Sequence, residues 1–230
     1  MTTEAATTEP KVTKPSRFKD WWERTRPRLR DFFVYAVAQV RIYDKPYAGI
    51  MHALIFWGVT IQIIGTAINL QQMALFLPFE LPFPRGSAYL IYELVMDLAG
   101  LAILIGVTLA AIRRLVIRPK TLESHWDDYY ALVMLTLIPL AGFTMEAMRL
   151  IAASPAWSAW SPIGSLFAAI YRAVGVSPQT AVSVHMSLWW THAILALTLI
   201  ASIPFTKFRH LIMTPLNIIK HPRRPEGALE

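Results

Sequence analysis

The chain has 230 residues, 55% of them hydrophobic and 16% charged, with 22 Lys and Arg against 15 Asp and Glu and a formal net charge of +7. So little polar surface excludes a soluble domain of this size and points to an integral membrane protein. Cysteine is absent, which excludes disulfides, thiolate metal sites, iron–sulfur ligation by this chain and c-type haem attached through C-x-x-C-H.

Residues 1–16, MTTEAATTEPKVTKPS, form a polar, Thr-rich tail that is expected to be disordered. Residues 17–45 are basic and aromatic, with Trp21, Trp22, Phe32, Phe33 and Tyr35 set among arginines. That mixture predicts an amphipathic helix lying at the membrane surface, with a partner-docking surface as the alternative. No short apolar core with a small-residue cleavage site precedes the first span, so no signal peptide is expected. Four apolar runs follow, at about 49–70, 89–112, 130–150 and 183–205. A hydrocarbon core of ~30 Å needs about 20 helical residues, and lipid forces such runs to be helical. The loop 151–182 contains a candidate short helix at 165–174 between proline-marked turns, and 216–230 is a basic tail. The expected fold class is an all-α integral membrane protein: a four-helix transmembrane bundle over 46–215 with an N-terminal amphipathic interfacial helix.

Lys and Arg crowd the segment before the first span, the loop between the second and third (Arg113, Arg114, Arg118, Lys120) and the C-terminal tail (Lys207, Arg209, Lys220, Arg223, Arg224). The remaining loops hold few, so the positive-inside rule places both termini in the cytoplasm of a prokaryotic cell (inner) membrane. The charge is spread along membrane flanks, where it meets the lipid bilayer, and no nucleic acid partner is expected. The sequence carries no P-loop, no G-x-S-x-G elbow and no H-E-x-x-H zinc pattern.

Chemistry therefore rests on six histidines. His221 reads as solvated, and His125 as a helix-start or headgroup residue. His52, His185, His192 and His210 lie in or at the ends of the first and fourth spans, where an ionisable group is costly and suggests function. Along an ideal helix, His185, His192 and His210 fall within about 20° of one face, provided Pro204 does not rotate the last turn. Two histidines from different helices at one depth can hold haem b by both axial positions without any cysteine. His52, near the cytoplasmic start of the first span, and His210, at the cytoplasmic end of the fourth, form that couple. Gly49, Ala53, Gly58 and Gly65, with Ala193 and Ala196, are expected to leave room for the macrocycle. His192 lies ~27 Å further along an ideal helix and belongs to the outer half.

These residues carry a resemblance. HAILALTLIASIPFTKFRH resembles the last helix of the gamma subunit of respiratory nitrate reductase, in which two histidines at this spacing ligate different b haems. PYAGIMHALIFWGVTIQIIGT and DDYYALVMLTLIPLAGFTMEAMRL resemble further helices of that superfamily. They look most like the cytochrome b portion of heterodisulfide-reductase-like iron–sulfur oxidoreductases. The resemblance covers about residues 45–220. It implies that His52 and His210 hold a cytoplasm-side haem and that His192 is the helix-four ligand of an outer one. The outer haem's partner would stand ten residues after His52, where this chain has Gln62. The outer haem is then absent, five-coordinate on His192, or completed from elsewhere, with Gln62, His185, Met145 and Met148 as weak candidates. The family's subunit also has one more helix at its N-terminus.

The implied function is a membrane cytochrome b subunit that passes electrons between the quinone pool and a cytoplasmic, Cys-rich iron–sulfur subunit. Quinone-site candidates are Asp97, Glu146 and Arg149, although Glu146 and Arg149 lie three apart on one helix and are suited to pairing with each other. Trp157, Trp160, Trp189 and Trp190 read as an outer aromatic belt. The rival readings are a non-haem membrane anchor or assembly protein and a small transporter using Asp97 and Glu146.

Overall fold

A computed structural model describes residues 17–72, 84–120 and 122–220, with α1 at Arg17–Asp31, α2 at Pro46–Gln72, α3 at Ser87–Ala111, α4 at Trp126–Ala153, α5 at Pro162–Ala173, α6 at Pro178–Ser202 and α7 at His210–Lys220. The polar tail expected at 1–16, His221 and the last residues of the basic tail lie outside the described residues. No strand occurs among the described residues. By length and composition four helical stretches can cross a membrane: Pro46–Asn69, Ser87–Ile117, Trp126–Ala153 and Pro178–Phe205. The protein is an all-α, multi-pass membrane protein.

The described chain groups into two compact units, one comprising residues 17–41 with 211–220, the other lying within Ile42–His210. In the first, α1 exposes Phe18, Trp21 and Trp22 and runs into a π-helical turn at Phe32–Val37. The Arg41 guanidinium sits 5.5 Å from the Tyr35 ring centroid. The apolar side chains Leu211, Ile212, Met213, Leu216 and Ile219 of α7 are also exposed. Exposed apolar residues beside basic ones are the pattern expected of helices lying in an interface.

The second unit holds the bundle. The helices begin earlier than the apolar runs predict, at Pro46, Ser87, Trp126 and Pro178. At α4 and α6 the cause is capping: polar first turns satisfy free backbone N–H groups but do not register as apolar sequence. Asp127 and Asp128 open α4. The Ser177 hydroxyl accepts the Thr180 N–H at 3.2 Å, and Pro178 follows as the first residue of α6. The short outer helix is present as α5, also opened by a proline, Pro162.

Among the described residues α2 packs along α3, α3 along α4, and α4 along α5 and α6, whereas α2 and α6 have no extended backbone packing. Ala147, Met148, Leu150 and Ile151 form a buried cluster with Ala168 of α5 and Ala181 of α6. Nearer the 118–125 loop, Ile103, Val107 and Leu135 are buried against Ile55, Val59, Leu199 and Phe208. The histidine-bearing helices α2 and α6 are therefore joined mainly through α3 and α4, and they meet each other where side chains bridge them.

Candidate metal centre

The sequence SIPFTKFRH decides where His210 goes. The condition that Pro204 leave the fourth helix unrotated is not met. Pro204 has no N–H to continue the ladder, and α6 ends at Ser202, followed by a tight turn at Ile203–Phe205. Thr206 is extended, at φ −123° and ψ 179°. Its hydroxyl donates to the Ser202 carbonyl at 2.9 Å and accepts from the Phe208 N–H at 3.4 Å. A second turn, Lys207–Arg209, leads into α7 at His210. The single helical line of His185, His192 and His210 is thus broken between the last two, and the ~27 Å ideal-helix separation does not apply. Phe208 packs against the core between α3 and α4, which pins the turn.

This turn brings His210 to His52, with ring centroids 6.3 Å apart and planes inclined by 52°. The two residues are far apart in sequence and come from opposite ends of the bundle's chain path. Two imidazoles bound to one metal at about 2 Å per nitrogen have ring centroids about 6 Å apart. The nitrogens also fit. His210 Nδ1 is hydrogen-bonded to the Lys207 carbonyl. A carbonyl only accepts, so Nδ1 carries the proton and Nε2 is left as the ligand atom. His52 Nδ1 is buried with no hydrogen-bond partner, a costly state unless something else engages the ring. Phe56, one turn on, stacks on His52 with centroids 6.3 Å apart and planes inclined by 16°. No group of three or more His, Asp or Glu that could hold a metal ion gathers among the described residues. A two-ligand axial arrangement is what these side chains can provide.

The neighbourhood of His192 differs. Its Nδ1 lies 3.1 Å from the Ile138 carbonyl of α4, again leaving Nε2 free. Gln62 is turned to another helix: its Nε2 donates to the Met96 carbonyl of α3 at 2.9 Å. Met148 is buried in the α4–α5–α6 cluster, while Met145 and His185 are half-buried. Two of the small residues of α2, Gly58 and Gly65, face α3. A Cβ on Gly58 would lie 2.8 Å from the Ala99 carbonyl, and one on Gly65 would collide with Met96 Sδ. Both glycines therefore let α2 and α3 approach closely, which is how small residues act between membrane helices. They sit ~120–140° around the helix from His52.

The expected quinone residues are all engaged by the protein. Asp97, buried in α3, accepts from the Ser161 hydroxyl (3.0 Å), the Ile163 N–H (2.7 Å) and the Gly164 N–H (2.9 Å). It thus caps the start of α5 from a neighbouring helix. Glu146 and Arg149 do pair, through two contacts of 2.8 Å. Arg149 also donates to Glu93 at 2.8 Å and to the Tyr89 hydroxyl at 2.9 Å, and lies 4.7 Å from the Trp157 ring centroid. Trp157, expected in an aromatic belt, is therefore part of this network. Sequence reasoning missed Tyr89 and Glu93. The signal was their four-residue spacing with Asp97, which places the three polar residues on one face of an apolar helix.

At the other end, Asp128 collects Arg114 Nη1 (2.9 Å), the His125 N–H (2.9 Å) and Lys207 Nζ (2.6 and 2.7 Å to its two oxygens). His125 is the N-cap of α4, in keeping with its helix-start reading.

With this geometry in place, comparison with known proteins gives consistent relatives. The family model described as nitrate reductase gamma subunit matches residues 45–224. The "EtfAB:quinone oxidoreductase" of Syntrophomonas wolfei is 29% identical over 85% of this chain and 28% of its own length. The "Probable iron-sulfur-binding oxidoreductase FadF" of Bacillus subtilis is 25% identical over 90% of the chain and 29% of its own length. A dihydromethanophenazine:CoB–CoM heterodisulfide reductase subunit of Methanosarcina mazei is 26% identical over 87% of the chain and 73% of its own length. The chain thus spans less than a third of the first two relatives. No solved structure matches.

Proposed function

The chain belongs to the nitrate reductase gamma subunit family, and on that premise we propose that it is the membrane cytochrome b subunit of an oxidoreductase. It would pass electrons between the quinone pool and a cytoplasmic iron–sulfur partner. One observation carries the reading: His52 and His210 set their rings 6.3 Å apart, and the Lys207 carbonyl fixes the His210 proton on Nδ1, leaving its Nε2 to ligate. Haem b, when bound, supplies a one-electron carrier that needs no cysteine. His210 would hold it from the start of α7, with its tautomer set by the Lys207 carbonyl. His52 would hold it from α2, which has no extended backbone packing with α6 among the described residues.

His192 would hold any second haem through its free Nε2, and with the Gln62 amide hydrogen-bonded to Met96 that haem would be held by His192 alone and be high-spin. The relatives named for quinone, iron–sulfur and heterodisulfide chemistry support a partner that carries the clusters this Cys-free chain cannot. Lys and Arg flank the 118–125 end of the bundle, which supports a cytoplasmic position for that end and for both termini in a prokaryotic cell membrane. The transporter reading needs Asp97 or Glu146 free to load a proton or solute, and both are occupied by protein donors. A pyridine haemochrome assay on the purified chain, with EPR for spin state, tests the proposal. The expected result is one low-spin haem per chain that is lost in His52→Ala and His210→Ala. Any high-spin haem should be lost in His192→Ala alone.

A further inference from the structure

We propose that Asp128 is a positioning residue for His210 and acts through Lys207, an inference that rests on the reading of His52 and His210 as axial ligands. Lys207 faces two ways. Its ammonium lies 2.6 and 2.7 Å from the two oxygens of Asp128. Its backbone carbonyl accepts from His210 Nδ1. The carbonyl that sets the tautomer and tilt of the ligand ring is therefore tethered, within one residue, to a carboxylate on α4.

That carboxylate is itself fixed. Asp128 is 9% exposed and receives Arg114 from the π-helical turn Ile112–Ile117 that follows α3 and the His125 N–H at the start of α4. Donors from three segments converge on it, so its position follows the bundle core and not one helix. Lys207, by contrast, has a 45% exposed side chain. An ion pair with so exposed a partner contributes little to global stability. The turn is held independently by the Thr206 hydroxyl and by Phe208 in the core. What the Asp128–Lys207 link adds is the placement of the carbonyl. Groups that orient a metal-bound imidazole through its second nitrogen commonly change metal affinity about 10- to 100-fold when removed.

The test titrates haem into the full-length chain in detergent and records the low-spin EPR signal, alongside thermal unfolding of the haem-free protein. Lys207→Met should weaken haem binding about tenfold or more and broaden the low-spin signal, with unfolding unchanged. Lys207→Arg, which keeps the charge, should restore most of both. Asp128→Asn keeps an acceptor for the His125 N–H and should match Lys207→Met in haem affinity and EPR, while unfolding at a lower temperature because buried Arg114 loses its charge partner. The double variant should be no worse than either single change, because both cut one path. A Lys207→Met protein indistinguishable from wild type in affinity and EPR overturns the inference, as does full additivity in the double variant. A wild-type chain that takes up no haem overturns the functional reading, and this inference with it.

Discussion

Asp97 lies in an apolar span with both carboxylate oxygens used, holding the Ser161 hydroxyl and two backbone N–H groups of α5. Asp97→Ala leaves three donors without their acceptor in a buried site. At about 1 kcal/mol or more each, the loss should be about 3 kcal/mol. Thermal unfolding in detergent and faster amide exchange at residues 161–164 would show it, and unchanged exchange there would contradict it. Arg149→Leu strands Glu93, 8% exposed, and Glu146. The expected cost is about 2 kcal/mol, below that of a fully buried pair because the guanidinium side chain is 36% exposed. The sequence identifies Asp97, Glu146 and Arg149 as unusual because charge inside a membrane helix is expensive. It does not identify their partners, since Ser161 and the α5 N–H groups come from a loop whose path only packing decides. His52 and His210 were legible for a related reason: few imidazoles occur, and depth pairs them. Lys207 was hidden, because a lysine at a helix mouth is ordinary and its role lies in where its carbonyl points.

Helix number and type were legible from apolar length, while helix ends were not, because caps are polar. The fourth span shows the difference most clearly. Pro204 reads as a kink, yet the packed chain ends α6, turns twice and starts α7 at His210. A kink keeps one helical face, but a break lets His210 choose a new one, and the Thr206 and Phe208 contacts make that choice. Small residues in α2 were equally ambiguous, since room for a macrocycle and room for a neighbouring helix look alike in sequence. At Gly58 the structure decides for the neighbour. A Cβ there would meet Ile103 Cγ1 at 2.6 Å and the Ala99 carbonyl at 2.8 Å, and a backbone atom cannot step aside. Gly58→Val should therefore push α2 from α3 and cost about 1–3 kcal/mol. Gly86→Ala, where an added Cβ meets nothing within 4 Å but φ is +58°, should act on turn strain alone. A Gly58→Val protein as stable as wild type would show that α2 and α3 do not pack as described.

At the scale of the whole chain, four helices can span a membrane and the net charge is +7, and the proposed sidedness, with the basic ends in the cytoplasm, is testable. The chain has no cysteine, so single introduced cysteines report sidedness without background. Lys120→Cys should label only after the cell membrane is opened, and Ser158→Cys should label in intact cells treated with an impermeant maleimide that has crossed the outer layers. The reverse pattern would invert the topology. Overall architecture was readable because the bilayer permits so few backbone solutions. The break after α6 by which His210 reaches His52 was not, because it depends on a loop conformation. The account as a whole turns on the meeting of His52 and His210. A reduced-minus-oxidised visible spectrum of the purified full-length chain, run beside His52→Ala and His210→Ala, tests it most directly. We expect b-type haem bands in the wild type and loss of the low-spin component in each variant. A wild type without those bands, or variants that keep the low-spin haem, would contradict it.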